Sequence, residues 1–235
     1  MKNNPESPSG KYWKEHILSW EAGAYFKDPE SRPSVWDKIS TFFRGDGMYV
    51  RMEAALNLLK PYIQGKTIVD VGCASGRFAL ELLQAGAKNV TGIDVSPESI
   101  ELANQKKRSS THKNRLTFKV QDVTLATSKL PSSNIVTTLG VIEYFDQDEL
   151  GVFMQNLNAD YFFFDFPDSA GRTRNPLLWY LRKIYLTLNR CPGVYLYSQS
   201  EFIKIAKKQK YKNVQFYRKG AFDFVTNLPI KITKK

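Results

Sequence analysis

Cysteine is nearly absent from this chain of 235 residues, with Cys73 and Cys191 the only two. Two thiols far apart, in unlike contexts, make neither a disulfide framework nor a zinc site, and they point to a reducing compartment. Histidine is equally scarce, with two residues, so no metal centre is expected. No apolar run approaches the roughly 18 residues a membrane span needs. The densest cluster, YFFFDF at 161–166, is strand-sized. The N-terminal MKNNPESPSGKYW lacks the apolar core of a signal peptide. The expectation is a cytoplasmic protein without a transmembrane segment.

What the chain has in excess is positive charge: 34 Lys and Arg against 23 Asp and Glu, a net of +11. Such a balance attracts nucleic acid, anionic lipid heads or an acidic substrate. Much of it sits in KKQKYK (207–212), QKKR (105–108) and Lys231, Lys234 and Lys235. No arginine-and-aromatic recognition motif accompanies it. A solvated lysine-rich surface is therefore the plainer expectation, and nucleic acid is not an expected partner.

Residues 1–10 are polar, with two prolines, and read as disordered. From Lys11, Trp13, Ile17, Trp20 and Ala24 recur at helical steps, giving an N-terminal helical cap over 11–47. YVRMEAALNLLKPYI reads as an amphipathic helix ending at Pro61. Beyond it strands and helices alternate. TIVDV, NVTGIDV, LTFKVQDV, NIVTTLG and DYFFFDF read as strands, and NVQFYR and FDFVTNL as a closing pair. RFALELLQA, the stretch after Ser96-Pro97, QDELGVFMQNL and SQSEFIKIAKKQKY read as helices. Ser96 is a natural N-cap and Pro97 suits the first helical position. The pattern implies an α/β fold: a Rossmann-like, doubly wound, mostly parallel seven-stranded sheet with helices on both faces. One domain over 48–235, carrying an inserted lid-like segment at 171–197, is the simplest organisation.

The turn after the first strand, DVGCASG (70–76), puts an acid, two glycines and small residues between strand and helix. Ligands of open α/β sheets sit beyond the strand carboxyl ends, where the strand order reverses. A P-loop needs G-x-x-x-x-G-K-[ST], which is absent, and Arg77 stands where a dinucleotide fingerprint wants Gly or Ala. Asp94 ends the second strand 22 residues after Gly72. That position suits an acceptor for ribose hydroxyls, and so an adenosine-type ligand.

D-V-G-C-A-S-G, then G-I-D-V-S, then V-Q-D-V, in this order, resemble the class I S-adenosylmethionine-dependent methyltransferases. The closest resemblance is to the small-molecule branch, with the ubiquinone-pathway O-methyltransferases and magnesium-protoporphyrin methyltransferases. It spans roughly residues 48–168. It implies S-adenosylmethionine as cofactor and S-adenosylhomocysteine as product. It implies that Asp70, Gly72, Cys73, Ala74 and Gly76 line the methionine part. Asp94 would bind the ribose, with Val95 against the adenine. Asp122 would reach the adenine amino group beside Val123, and Leu139 and Gly140 would lie under the reacting methyl. The family pattern usually has Gly where Ala74 stands, and many relatives carry His where Tyr144 stands.

Methyl transfer to a hydroxyl needs a group to take its proton. Glu143 and Tyr144, after the fourth strand, are the expected substrate contacts, with His16 on the N-terminal helix as a further candidate base; His112 reads as a solvated loop residue. Asp165 and Asp168 either face substrate or cap the turn after the fifth strand. The segment 171–197 combines Arg172, Arg174, Arg182 and Arg190 with Trp179, Tyr180 and Tyr185. It suits a substrate lid, or contact with a lipid-like or acidic acceptor or a membrane surface. The expected partner is a small-molecule acceptor. An RNA methyltransferase and a non-catalytic cofactor-binding protein are the alternatives. The former lacks an N-P-P-[YF]-type motif, since T-L-G-V-I-E-Y stands after the fourth strand.

Overall fold

The computed structural model describes residues 11–14, 16–17, 47–170, 194–220 and 222–230, with isolated helical positions between 176 and 188. The expected disorder of 1–10, most of the 11–47 cap, and Arg172, Arg174, Trp179, Arg182, Tyr185 and Arg190 of the lid lie outside the described residues.

Helix α1 (Gly47–Ile63) leads into β1 (Thr67–Val71), α2 (Arg77–Gln84), β2 (Asn89–Asp94) and α3 (Pro97–Ser109). Then come β3 (Leu116–Val120), β4 (Ser133–Thr138), α4 (Gln147–Asn156) and β5 (Ala159–Asp165). Helix α5 (Gln199–Lys208), β6 (Gln215–Lys219) and β7 (Phe222–Thr226) close the chain. The seven strands form one sheet in the order β3-β2-β1-β4-β5-β7-β6. All pairings are parallel except those of β7, which runs antiparallel to both β5 and β6. This is the expected Rossmann-like sheet, with its order reversing between β1 and β4.

The period-two alternation of strands divides the core. Ile68, Ile135 and Phe163 join the layer beneath α1, α2 and α3. Val69, Val136, Phe162 and Phe164 join the layer beneath α4 and α5. Phe162, Phe163 and Phe164 are fully buried, so each contributes on the order of 2 kcal/mol of transfer energy. A central strand covered on both faces explains why DYFFFDF is so densely apolar.

Local signals set the helix starts. Ser96 accepts from the Ser99 N–H at 3.1 Å, with Pro97 at the first helical position. Asp146 caps α4 and Ser198 caps α5, each in a reciprocal capping box with a glutamate, Glu149 and Glu201. One boundary differs from expectation: α1 runs through Pro61 to Ile63. A proline two residues from a helix end removes one backbone bond, and Leu59 and Ile63, both fully buried, hold the last turn onto the core. The third and fourth strands also stop short, at Val120 and Thr138. Asp122, Val123, Leu139 and Gly140 therefore lie in loops at the sheet's carboxyl edge.

Candidate functional site

The crevice where the strand order reverses is bordered by the turns after β1, β2 and β4. Gly72 turns the chain out of β1 with φ +71°, and its N–H donates to the Ile93 carbonyl at 2.7 Å. A Cβ there would stand 2.2 Å from Val141 Cγ2, so the β1 and β4 turns touch across bare backbone. Gly76 begins α2 in the left-handed region, and a Cβ on it would meet the Phe118 ring at 2.6 Å. Ala74 also has positive φ, +45°. That is the strain expected where relatives place glycine.

Asp94 holds this strained turn. Its Oδ2 accepts from the Ala74 N–H at 2.9 Å and its Oδ1 from the Ser96 N–H at 3.0 Å. The carboxylate thus bridges the glycine turn and the start of α3. Replacing it with Asn puts a donor opposite one of two N–H groups. The Asp94→Asn variant is expected to lose about 1–3 kcal/mol of stability and at least tenfold in cofactor affinity, read by thermal melting and calorimetry.

Asp70 is buried. Its Oδ1 accepts from Thr137 Oγ1 at 3.1 Å, and its Oδ2 has no hydrogen-bond partner among the described residues. Burial pushes its carboxyl up to about 7, the neighbouring Asp94 charge adds to the rise, and the Thr137 bond opposes it. Asp122 is alike: Oδ1 accepts from the Thr124 N–H and hydroxyl at 2.9 and 2.6 Å, while Oδ2 is buried without a partner among the described residues. Orphaned carboxylate oxygens at the ends of β1 and β3, on either side of β2, are acceptors awaiting donors. Cys73 and Val123 are buried, and Val95, Leu139 and Gly140 are half-buried along the same edge.

Glu143 and Tyr144 sit on a short 3-10 turn (Ile142–Tyr144) and are both buried. The N-terminal turn reaches them, since Trp13 packs on Tyr144 with ring centroids 4.7 Å apart. His16, on the same turn, is exposed, with Nδ1 2.8 Å from the Tyr12 carbonyl and its ring stacked on Tyr12. Asp165 pairs with Arg51 of α1 at 3.0 Å, and the Arg51 guanidinium lies against Gly140. Asp168 accepts from the Ala170 N–H at 2.9 Å, as a turn cap does. His112 is half-buried, its Nδ1 2.7 Å from the Arg115 guanidinium, rather than fully solvated. Arg77 turns away from the glycine turn, donating to the Tyr49 hydroxyl at 2.7 Å. Two supports escaped sequence reasoning. Thr137 partners Asp70. Gly92, inside β2, leaves room for Phe118, whose ring lies 2.5 Å from where a Cβ would stand. A glycine inside an otherwise regular strand was the available signal for the second.

Residues 68–159 match a family model described as a methyltransferase domain. Over these residues the chain is similar to that family. It is also similar to the ribosomal protein L11 methyltransferase of Burkholderia thailandensis, 32% identical over 87 residues, which cover 37% of this chain and 29% of that protein. The one from Colwellia psychrerythraea is 41% identical over 85 residues, covering 35% and 28%. The matches thus span less than a third of the length of these curated relatives. Among solved structures, the fold resembles magnesium protoporphyrin IX methyltransferase from Synechocystis PCC 6803 with bound SAH. The TM-score is 0.65 at 21% identity, covering 92% of this chain and 95% of that one. Human N-acetylserotonin methyltransferase in complex with SAM gives 0.61 at 14% identity, covering 94% and 59%.

Proposed function

We propose that this chain is an S-adenosylmethionine-dependent methyltransferase that acts on a small-molecule acceptor at a hydroxyl oxygen. The observation that carries the reading is the set of three acids on consecutive strand ends, Asp70, Asp94 and Asp122, around a turn stripped of side chains. The cofactor's donors fit them. Its ammonium group suits the buried Asp70 Oδ2, its ribose hydroxyls suit Asp94, and its adenine amino group suits the Asp122 Oδ2. Gly72, Cys73, Ala74 and Gly76 leave room for the methionine portion, and Val95 and Val123 are apolar neighbours for the adenine.

When bound, the cofactor supplies a methyl group already activated on a sulfonium. The chain's residues then have three tasks: to align the acceptor, exclude water and receive a proton. Leu139 and Gly140 border the reacting position. Glu143 and Tyr144 contact the acceptor from the adjoining turn, with Trp13 closing over Tyr144. Glu143, a buried carboxylate on that turn, is the proposed acceptor of the hydroxyl proton, with His16, one helical turn from Trp13, as the alternative. The acceptor is lipid-like or acidic, in keeping with the basic and aromatic residues that the sequence gathers in 171–197.

A second reading, methylation of a protein, rests on the similarity to ribosomal protein L11 methyltransferases. Calorimetry with S-adenosylhomocysteine tests the common part of both: one site per chain is expected, and a folded protein without heat of binding removes them together. Turnover of hydroxylated small molecules, set against a ribosomal protein substrate, separates the two.

A further inference from the structure

The sheet has two ends of opposite electrical character. Asp70, Asp94, Asp122 and Asp165 mark the carboxyl ends of parallel strands. Each helix runs back against the strands it joins, so helix C-termini and the turns after them gather at the strand starts. Six connections meet there: KPYIQGK (60–66), QAGAKN (84–89), KRSSTHKNRLT (107–117), ATSKLPSSN (126–134), QNLNADY (155–161) and KKQKYKNVQ (207–215). Together they hold twelve lysines and arginines and one acid, Asp160. That net of +11 equals the formal charge of the whole chain. The other 22 basic residues (34 less 12) are matched by 22 acids (23 less one).

Ten of the twelve are exposed, and none is in an ion pair among the described residues. Complementing helix dipoles accounts for Lys60, Lys107, Arg108, Lys207 and Lys208, which stand in last turns. It does not account for Lys66 and Lys88, which stand in loops, or for the single acid across six connections.

We propose that this end of the molecule is a docking surface for an anionic lipid bilayer. Seven strands at about 4.8 Å spacing make it roughly 29 Å wide, and a broad face of one sign suits a charged plane. Ten of the twelve cations are lysines, compact point charges rather than the bidentate forks that read phosphate and base edges. The helix N-termini that hydrogen-bond phosphates lie at the opposite end. Juxtamembrane lysines act additively on an anionic leaflet. Tyr161, 37% exposed, stands among them as an aromatic suited to the headgroup layer. Docked this way, the crevice faces water.

The test uses the full chain and vesicles of phosphatidylcholine with about 30 mol% phosphatidylserine, against phosphatidylcholine alone, in about 0.1 M salt. The protein is expected to sediment with the anionic vesicles only, and to be released at about 0.5 M salt. A variant with Arg108→Gln, Lys113→Gln, Lys207→Gln, Lys208→Gln and Lys212→Gln is expected to bind at least tenfold more weakly, a loss of roughly 1.6-fold or more for each charge removed. Arg218→Gln with Lys219→Gln, at the opposite end of β6, should bind as the parent does. Circular dichroism melting confirms that each variant is folded, independently of any cofactor. No binding to anionic vesicles, or five-site binding within about twofold of the parent, overturns the proposal. So does binding to duplex RNA more than about tenfold tighter at equal phosphate concentration, which would assign the surface to nucleic acid.

Discussion

Replacing Gly72 with Ala is expected to cost about 3–4 kcal/mol of stability and to weaken cofactor binding more than a hundredfold. Two separable effects add. An L-residue at φ +71° carries a backbone penalty of about 1–2 kcal/mol. The new methyl group would stand 2.2 Å from Val141 Cγ2, so the β1 and β4 turns must part, at a cost of about 1–3 kcal/mol. For a chain of this size the melting temperature should fall by roughly 10 °C. A double variant with Val141→Ala isolates the second effect: removing the opposing methyl should restore about half the loss, leaving the backbone penalty. If Gly72→Ala melts with the parent, the tight contact between the two turns is not what the glycine serves. Cofactor affinity should fall in both variants, since the proposed function lays the ligand on the backbone that Gly72 positions.

Asp70→Asn should stabilise the cofactor-free protein at neutral and higher pH. The buried carboxyl, raised to about 7 from an ordinary value of 3.8, binds its proton more tightly folded than unfolded. Below about 4 both states are protonated and Asp70 costs nothing. As pH rises from 4 to 7 the unfolded chain releases the proton first, so stability falls, and above 7 the loss is complete. The shift corresponds to an upper bound on the order of 4 kcal/mol. Denaturant titrations of parent and variant should coincide near pH 4 and diverge up to pH 7, with the variant above. Curves that stay parallel across this window would show that the buried carboxylate carries no such penalty. The cofactor reverses the sign. A cationic ammonium beside Asp70, as the proposed function has it, would favour the charged form, so parent affinity should improve about tenfold per pH unit as pH rises towards 7, and Asp70→Asn should lose that dependence together with affinity. On that proposal, the ligand removes a penalty that the fold carries at this site.

The alternation of TIVDV, NVTGIDV, LTFKVQDV, NIVTTLG and DYFFFDF with helical patterns placed five strands, NVQFYR and FDFVTNL supplied the closing two, and together they named the sheet, because strand and helix periods differ. The acids at positions 70, 94 and 122 were legible for a related reason: each follows or ends an apolar run and precedes a turn, which puts it at the sheet's carboxyl edge. Pairings made in space were not legible. Nothing near Asp70 in sequence announces Thr137, 67 residues on, and nothing near Arg51 announces Asp165, 114 residues on. Trp13 against Tyr144 joins segments more than 130 residues apart. The charge was counted correctly and read as a solvated lysine-rich surface. Sequence order spreads over six connections what the sheet collects at one end.

The antiparallel strand β7 sits between β5 and β6, so β5 obtains its outer partner only from residues 222–226. During synthesis β5 is complete about 60 residues earlier. At about 5–20 residues per second, that edge waits roughly 3–12 s for its partner. Phe162, Phe163 and Phe164 line the waiting strand. A nascent or C-terminally truncated chain thus presents an open, aromatic strand edge of the kind that pairs with other chains. Chains ending before Phe222 should partition into aggregates even with residues 68–159 intact. The last strands of this protein guard its solubility while it is being made.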